Sequence, residues 1–311
     1  MRGALAAGLL IALAGCVAPR GTAPRAAAAL PPPPAPPPVV APPPPRTVTA
    51  QVFSLHGTPQ QGALLSGTVP QGTALLMLDG KSVRFAPDGH FIIGFGRDAG
   101  PSSLLEARLQ DGALLRLPMT VSPRAWDISS LPTLYRGTSP SPAFLRIRSA
   151  EVAQIEAARA VNAASDGWRQ TFRWPAVGRI STLFGSQRIY AGGVKGSYHS
   201  GLDIARRHGG PVLDGTPARS PADGVVVLAT DHPFSLEGNL VMIDHGYGLV
   251  SALMHLSRIE VKTGERVRQG QEIGLIGSTG RATGPHLHWG MTWMGERIDP
   301  LLLTGPMPDA G

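Results

Sequence analysis

The stretch GPHLHWG, residues 284–290, sets His286 and His288 on either side of Leu287. In an extended strand successive side chains alternate between faces, so the two imidazoles share one face while Leu287 points into the opposite layer. Such a pair is a strand edge that carries histidine by chance, a metal site, or an acid–base pair. Two other stretches bear on the choice. In YHSGLDIA, residues 198–205, His199 and Asp203 stand four apart and share a face of an extended segment; in LMHLS, residues 253–257, His255 lies near the end of an apolar run. Seven of the nine histidines fall between positions 199 and 288. One carboxylate and four imidazoles suffice for a zinc with three protein ligands, with groups left over for proton transfer. An ion held that way keeps an open position, where it lowers the pKa of a bound water and polarises a carbonyl. His245, in DHGYG, reads as the anchor of a hairpin turn, while His56, His90, His208 and His232 stand in isolated or loop-like surroundings and receive no role.

The elements that must position these groups are strands. GVVVLAT (224–230), NLVMID (239–244), LVSALMHL (249–256), EIGLIG (272–277) and HLHWGMTW (286–293) are short apolar runs with glycine-marked connections and no long amphipathic helix between them. That pattern predicts an antiparallel sheet rather than βαβ units. GLIGSTGRATG, residues 274–284, lacks GK[ST] and leads into a strand, so it is not a phosphate loop, and no G-x-S-x-G elbow favours serine hydrolysis. Upstream, residues 48–123 carry short apolar runs broken by the hairpin signals DGK and PDGH and resemble a small immunoglobulin-like β-sandwich. A connector, 124–173, contains the best helix of the chain, 149–164, with Ser149 as N-cap, Glu151 in the first turn, and Val152, Ile155 and Val161 as an apolar stripe. The fold class expected is all-β, with one short connecting helix.

The N-terminus bears on compartment. Arg2 precedes ALAAGLLIALAG, an apolar stretch too short to span a bilayer as a mature helix, and LAGC, ending at Cys16, resembles a bacterial lipobox. This predicts removal of residues 1–15 and lipidation of Cys16, the only cysteine, which leaves no disulfide and no thiol chemistry. Val17 stands where many lipoproteins retained at the inner membrane carry aspartate, so the expected anchor is the outer membrane, facing the periplasm. Residues 16–47 form a proline-dominated spacer that builds neither a helix nor a central strand. The net charge of +7 favours an anionic surface or polymer, but no aromatic-and-basic motif accompanies it, which argues against nucleic acid.

The segment from 174 to about 305 resembles the lysostaphin-type (LytM-like, M23) zinc metallopeptidases. The resemblance rests on His-x-x-x-Asp at 199–203, His-Leu-Ser at 255–257 and His-x-His at 286–288, with FGSQRIY, GLDIA, PADGVV, GNLVMIDHG, GSTGRATGPHLHWG and IDPLLL around them. It implies that His199, Asp203 and His288 bind Zn2+, and that His255 and His286 are catalytic residues beside the ion. It further implies an endopeptidase acting on peptidoglycan stems or cross-links. Asn239 and Tyr190 fall where related enzymes place groove-lining polar residues, whereas Leu253 and Met254 stand where an aromatic often precedes the His-Leu-Ser histidine. Two alternatives share the resemblance: a LytM-like activator of cell-wall amidases, with an amidase or divisome protein as partner, and a plain wall-binding module. All five chemical positions are filled, which favours the enzyme.

Overall fold

A computed structural model describes residues 53–135 and 140–308, together with the backbone of a two-residue strand, Arg46–Thr47. The leader, Cys16 and nearly all of the proline-rich spacer lie outside the described residues. The spacer's end does not: Arg46–Thr47 pairs in parallel with Leu115 and Arg116.

The described chain is nearly all β, as the short apolar runs with glycine-marked connections predict. Its N-terminal part forms a five-stranded and a three-stranded sheet. The larger consists of Arg46–Thr47, Leu114–Thr120, Ser102–Leu109, Thr73–Leu78 and Lys81–Val83; the smaller of Ser54–His56, Leu64–Thr68 and His90–Gly94. Leu65 and Phe91 from the smaller sheet and Leu76 and Leu105 from the larger are buried in one apolar cluster, which continues into the C-terminal part. Asp79, Gly80, Gly89 and Gly112 take positive φ in the turns, which is why Asp-Gly recurs at these hairpins.

The C-terminal part is built on a ten-stranded sheet whose pairings are all antiparallel. At its centre His286–Trp293 lies between Gly201–Ala205 and Leu249–Ile259, and Asn239–Asp244 and Gly224–Ala229 follow outward. Leu287, Trp289, Met291 and Trp293 belong to the main core cluster. A second cluster, with Met242, Val250 and Ala252 of the strands, includes Ile155 and Ala158 of the helix. Apolar cover at both clusters explains why these strands read as near-continuous apolar runs instead of a clean alternation.

The helix runs Pro142–Arg159, beginning seven residues before the predicted Ser149. Ser141 is the N-cap, its Oγ accepting the Phe144 N–H at 3.1 Å, and Pro142 occupies the first turn. Proline reads as a breaker but is favoured there, because its missing N–H would be unpaired anyway. Glu151 therefore sits mid-helix and is buried, Ile155 is buried, and Val152 and Val161 are exposed. Among the described residues no helix is long and apolar enough to cross a membrane.

Candidate active site

Strand register assembles the site. Asp203 lies directly opposite His288, and Ala205 opposite His286, in the antiparallel pair, so the carboxylate and the two imidazoles meet on one face. Leu287 and Trp289, on the other face, are fully buried and fix that register, since a one-residue slip would bury the imidazoles in apolar core. Gly201 leaves room for the His288 ring. A Cβ at Gly201 would come 2.8 Å from His288 Nε2 and 2.3 Å from the Trp289 carbonyl.

His255 reaches the same face by a different route. Met254, not His255, is the residue opposite His288 across the other edge of that strand. In a regular strand His255 would then point away with Leu287. Its backbone instead takes φ of +65°, at the point where its strand leaves His286–Trp293 and takes up Glu272–Ile276 as partner. The ring is thereby brought to 4.7 Å from His286 and 6.2 Å from His288, centroid to centroid. A non-glycine residue in the left-handed region stores strain, here on the order of 1 kcal/mol, and such residues cluster at functional sites.

Backbone carbonyls fix the tautomers. His199 Nδ1 lies 3.1 Å from the Leu183 carbonyl, His255 Nδ1 2.9 Å from that of Thr279, and His286 Nδ1 2.8 Å from that of Gly284. A carbonyl has no proton to give, so each Nδ1 donates, and in the neutral ring each Nε2 keeps a free lone pair. Burial, partly opposed by the Thr279 carbonyl, lowers the His255 pKa to about 4, which keeps that ring neutral near pH 7. Burial alone would raise Asp203; the imidazoles of His199 and His288 overcome it and hold the carboxyl well below the ordinary carboxylate range.

His199 Nε2, Asp203 Oδ1 and His288 Nδ1 converge, with separations of 2.9, 2.9 and 3.0 Å. A neutral Nδ1–H on His288 can bond Asp203 Oδ1 or His199 Nε2, but it leaves the lone pair of His199 directly against the carboxylate. One proton on His288 Nδ1 satisfies only one edge of the triangle, whereas a divalent cation satisfies every edge. Two imidazoles and one carboxylate are a donor set suited to zinc, with a position left open. His286 Nε2 stays 3.7 Å from Asp203 Oδ1, outside the triangle. His288 Nε2 is buried and has no hydrogen-bond partner among the described residues.

The remaining histidines sit apart. His245 is fully buried, its Nδ1 2.8 Å from the Asp223 carbonyl and its Nε2 2.8 Å from Ser251 Oγ, while its N–H closes the turn to Leu249. His56, His90, His208 and His232 are exposed. Asn239 bonds the Leu256 and Ser257 carbonyls through Nδ2 and Thr279 Oγ1 through its N–H, so it supports the loop that holds His255. Tyr190 lies in a separate three-stranded sheet, paired with Leu131 and Val194. The groups that sequence reasoning misses are the carbonyls of Leu183, Thr279 and Gly284; only the glycine-rich run 277–284 hints at two of them.

The deciding observation is that all five of these residues fall inside one family match. Residues 197–300 match the model of peptidase family M23. Over 129 residues the chain is 40% identical to the peptidoglycan DD-endopeptidase ShyA of Vibrio cholerae, a match spanning 42% of this chain and 28% of that protein. Over 111 residues it is 39% identical to the DD-carboxypeptidase/endopeptidase Mpg of Neisseria meningitidis, spanning 36% of this chain and 24% of that protein. The chain thus spans less than a third of the length of these curated relatives. A crystal structure described as a peptidase M23 from Pseudomonas aeruginosa shares the fold, with TM-score 0.61 and 28% identity over 80% of this chain and 96% of that one. That coverage reaches well outside residues 197–300, so the likeness includes part of the chain preceding them.

Proposed function

We propose that this chain is a zinc-dependent endopeptidase that hydrolyses peptide bonds in peptidoglycan stems or cross-links. The observation that carries the reading is the triangle of His199 Nε2, Asp203 Oδ1 and His288 Nδ1, with the free Nε2 atoms of His255 and His286 beside it. His199, Asp203 and His288 would hold the ion, which when bound would supply Lewis acidity to polarise the scissile carbonyl. His255 and His286 handle the proton. As water attacks the scissile carbonyl, a neutral imidazole takes up the proton at Nε2 and returns it to the leaving amine nitrogen, which departs as the C–N bond breaks. Burial keeps His255 neutral, hence able to accept, throughout the physiological range. The names of the curated relatives support peptidoglycan as the substrate class.

Metal content and turnover measured on the same purified variants test this assignment. His288→Ala and Asp203→Ala should lose zinc and activity together. His286→Ala should keep one zinc per chain and lose about 10²- to 10⁴-fold in kcat, the span of a proton-transfer group. A zinc-free His286→Ala beside a zinc-replete His288→Ala would reverse the roles. Filled ligand positions weigh against the amidase-activator reading, which needs no metal.

The lipobox-like LAGC supports a lipid anchor at Cys16 and a periplasm-facing location. Cell fractionation of Cys16→Ala is the check: the chain should no longer require detergent once the leader is removed, and unchanged membrane retention of a chain starting at Arg46 would contradict a single anchor.

A further inference from the structure

We propose that Arg148 and Glu151, on the connecting helix, are positioning residues for His255, acting through the Phe234–Gly238 hairpin; this rests on the peptidase reading of the site. The hairpin is closed by reciprocal bonds between Phe234 and Gly238, both 2.9 Å, and Phe234 is rooted in the core. Its far side is gripped by the helix. Glu151, only 4% exposed, accepts the Ser235 N–H at 2.6 Å and the Ser235 hydroxyl at 2.5 Å. Arg148 forks onto both Glu237 carboxylate oxygens, at 2.6 and 2.7 Å, and also donates to Glu151 at 3.1 Å. Its near side meets the site. The Glu237 carbonyl accepts the His255 N–H at 2.9 Å, and the Leu236 carbonyl accepts the N–H of Arg281, in the loop that leads to His286.

Three features make this a lever on geometry rather than a generic contact. First, His255 is in the left-handed region, a conformation that persists only when its surroundings enforce it, and the Glu237 carbonyl holds its backbone N–H. Second, the hairpin is interlocked with the loop whose carbonyl fixes the ring. A Cβ on Gly238 would come 2.3 Å from Thr279 Oγ1, and one on Gly280 2.3 Å from the Gly238 nitrogen. A shift of the hairpin therefore moves the acceptors of both His255 N–H and His255 Nδ1. Third, an arginine between two largely buried carboxylates is costly to desolvate and adds little net stability, and such groups are kept where they fix one arrangement. None of these residues bonds His199, Asp203 or His288, so the lever bears on the proton-transfer pair and leaves the ion's ligands alone.

The test uses the full chain with Arg148→Met, Arg148→Lys and Glu237→Gln, read by steady-state kinetics, zinc content and hydrogen exchange at the His255 amide. Arg148→Met should lower kcat by about tenfold, the sensitivity expected when a reacting group is misplaced, with KM within about twofold and zinc unchanged. The His255 amide should exchange faster, and Arg148→Lys, which keeps the charge without the fork, should fall between parent and Met. Glu237→Gln keeps side-chain shape and should show the same pattern if Arg148→Met folds poorly. Parent-like kcat and His255 exchange in a folded variant would overturn the proposal, as would a loss confined to KM or to zinc. A parent chain that cuts nothing would fault the peptidase reading alone, and the exchange measurement would still decide the positioning role.

Discussion

At the scale of single residues, the site is a problem in proton and lone-pair accounting. Three imidazoles spend Nδ1 on backbone carbonyls and present Nε2, while His288 alone presents Nδ1. His286 and His288 are two residues apart on one strand face, and the carbonyl at Gly284 and the carboxylate at Asp203 give them different free atoms. His255 shows what was not legible in the sequence. Strand alternation pairs His286 with His288, and His199 with Asp203, from spacing alone; for His255 it gives a face only once the register is known, and then it would turn the ring away. Only a left-handed φ at that position, which no local residue pattern announces, corrects it. The strain gives a prediction. Glycine adopts positive φ without steric cost, so His255→Gly should be more stable than His255→Ala, by about 1 kcal/mol at most, reversing the usual order of these two residues. Thermal unfolding of the pair decides it, and a more stable alanine variant would show that the left-handed backbone is absent in solution.

At the scale of elements, the strands were readable because their apolar runs are uninterrupted and their turns carry glycine. NLVMID and HLHWGMTW coincide with observed strands, Asn239–Asp244 and His286–Trp293. The helix start was not, because Ser141-Pro142 reads as a turn until something downstream is seen to continue it. Nor were the long-range polar ties. His245 is one: its ring joins the Asp223 carbonyl to Ser251 Oγ, which also accepts the Trp289 indole N–H at 3.3 Å. The chain thereby links the strand of the metal-ligand candidates to two neighbouring segments. Burial lowers the His245 pKa to about 4, against an unfolded value near 6.5. The folded ring is neutral and the unfolded one gains a proton more readily, so this contribution is complete above about pH 6.5 and is lost as pH falls towards 4. Its size is on the order of 3 kcal/mol. Denaturant unfolding of the parent and of His245→Gln at pH 7 and pH 4.5 checks this: the parent should lose more stability between the two pH values than the variant, and equal losses would mean that the ring is not buried neutral.

At the scale of the whole described chain, the N-terminal sheets and the segment that matches the M23 model are held together by more than their connection. Arg124 donates to Asp299 at 2.8 Å, and burial raises the Asp299 pKa although Arg124 opposes it. Arg97, 7% exposed, donates to the Gly185 carbonyl and to Gln187 and stacks against Trp126 and Tyr198. Both arginines tie upstream residues to segments flanking His199 and the C-terminal turn. Helix residues Ile155 and Ala158 share a core with Val227, Phe234 and Leu240. The intact chain, not an excised C-terminal segment, is therefore the species to assay. The most direct measurement is the release of soluble peptides from purified sacculi by the full chain as prepared, after chelation, and after zinc is restored. The account predicts cutting by the chain alone, none after chelation, and recovery with zinc. Cutting that survives chelation, or a zinc-replete and folded chain that releases nothing, would contradict it.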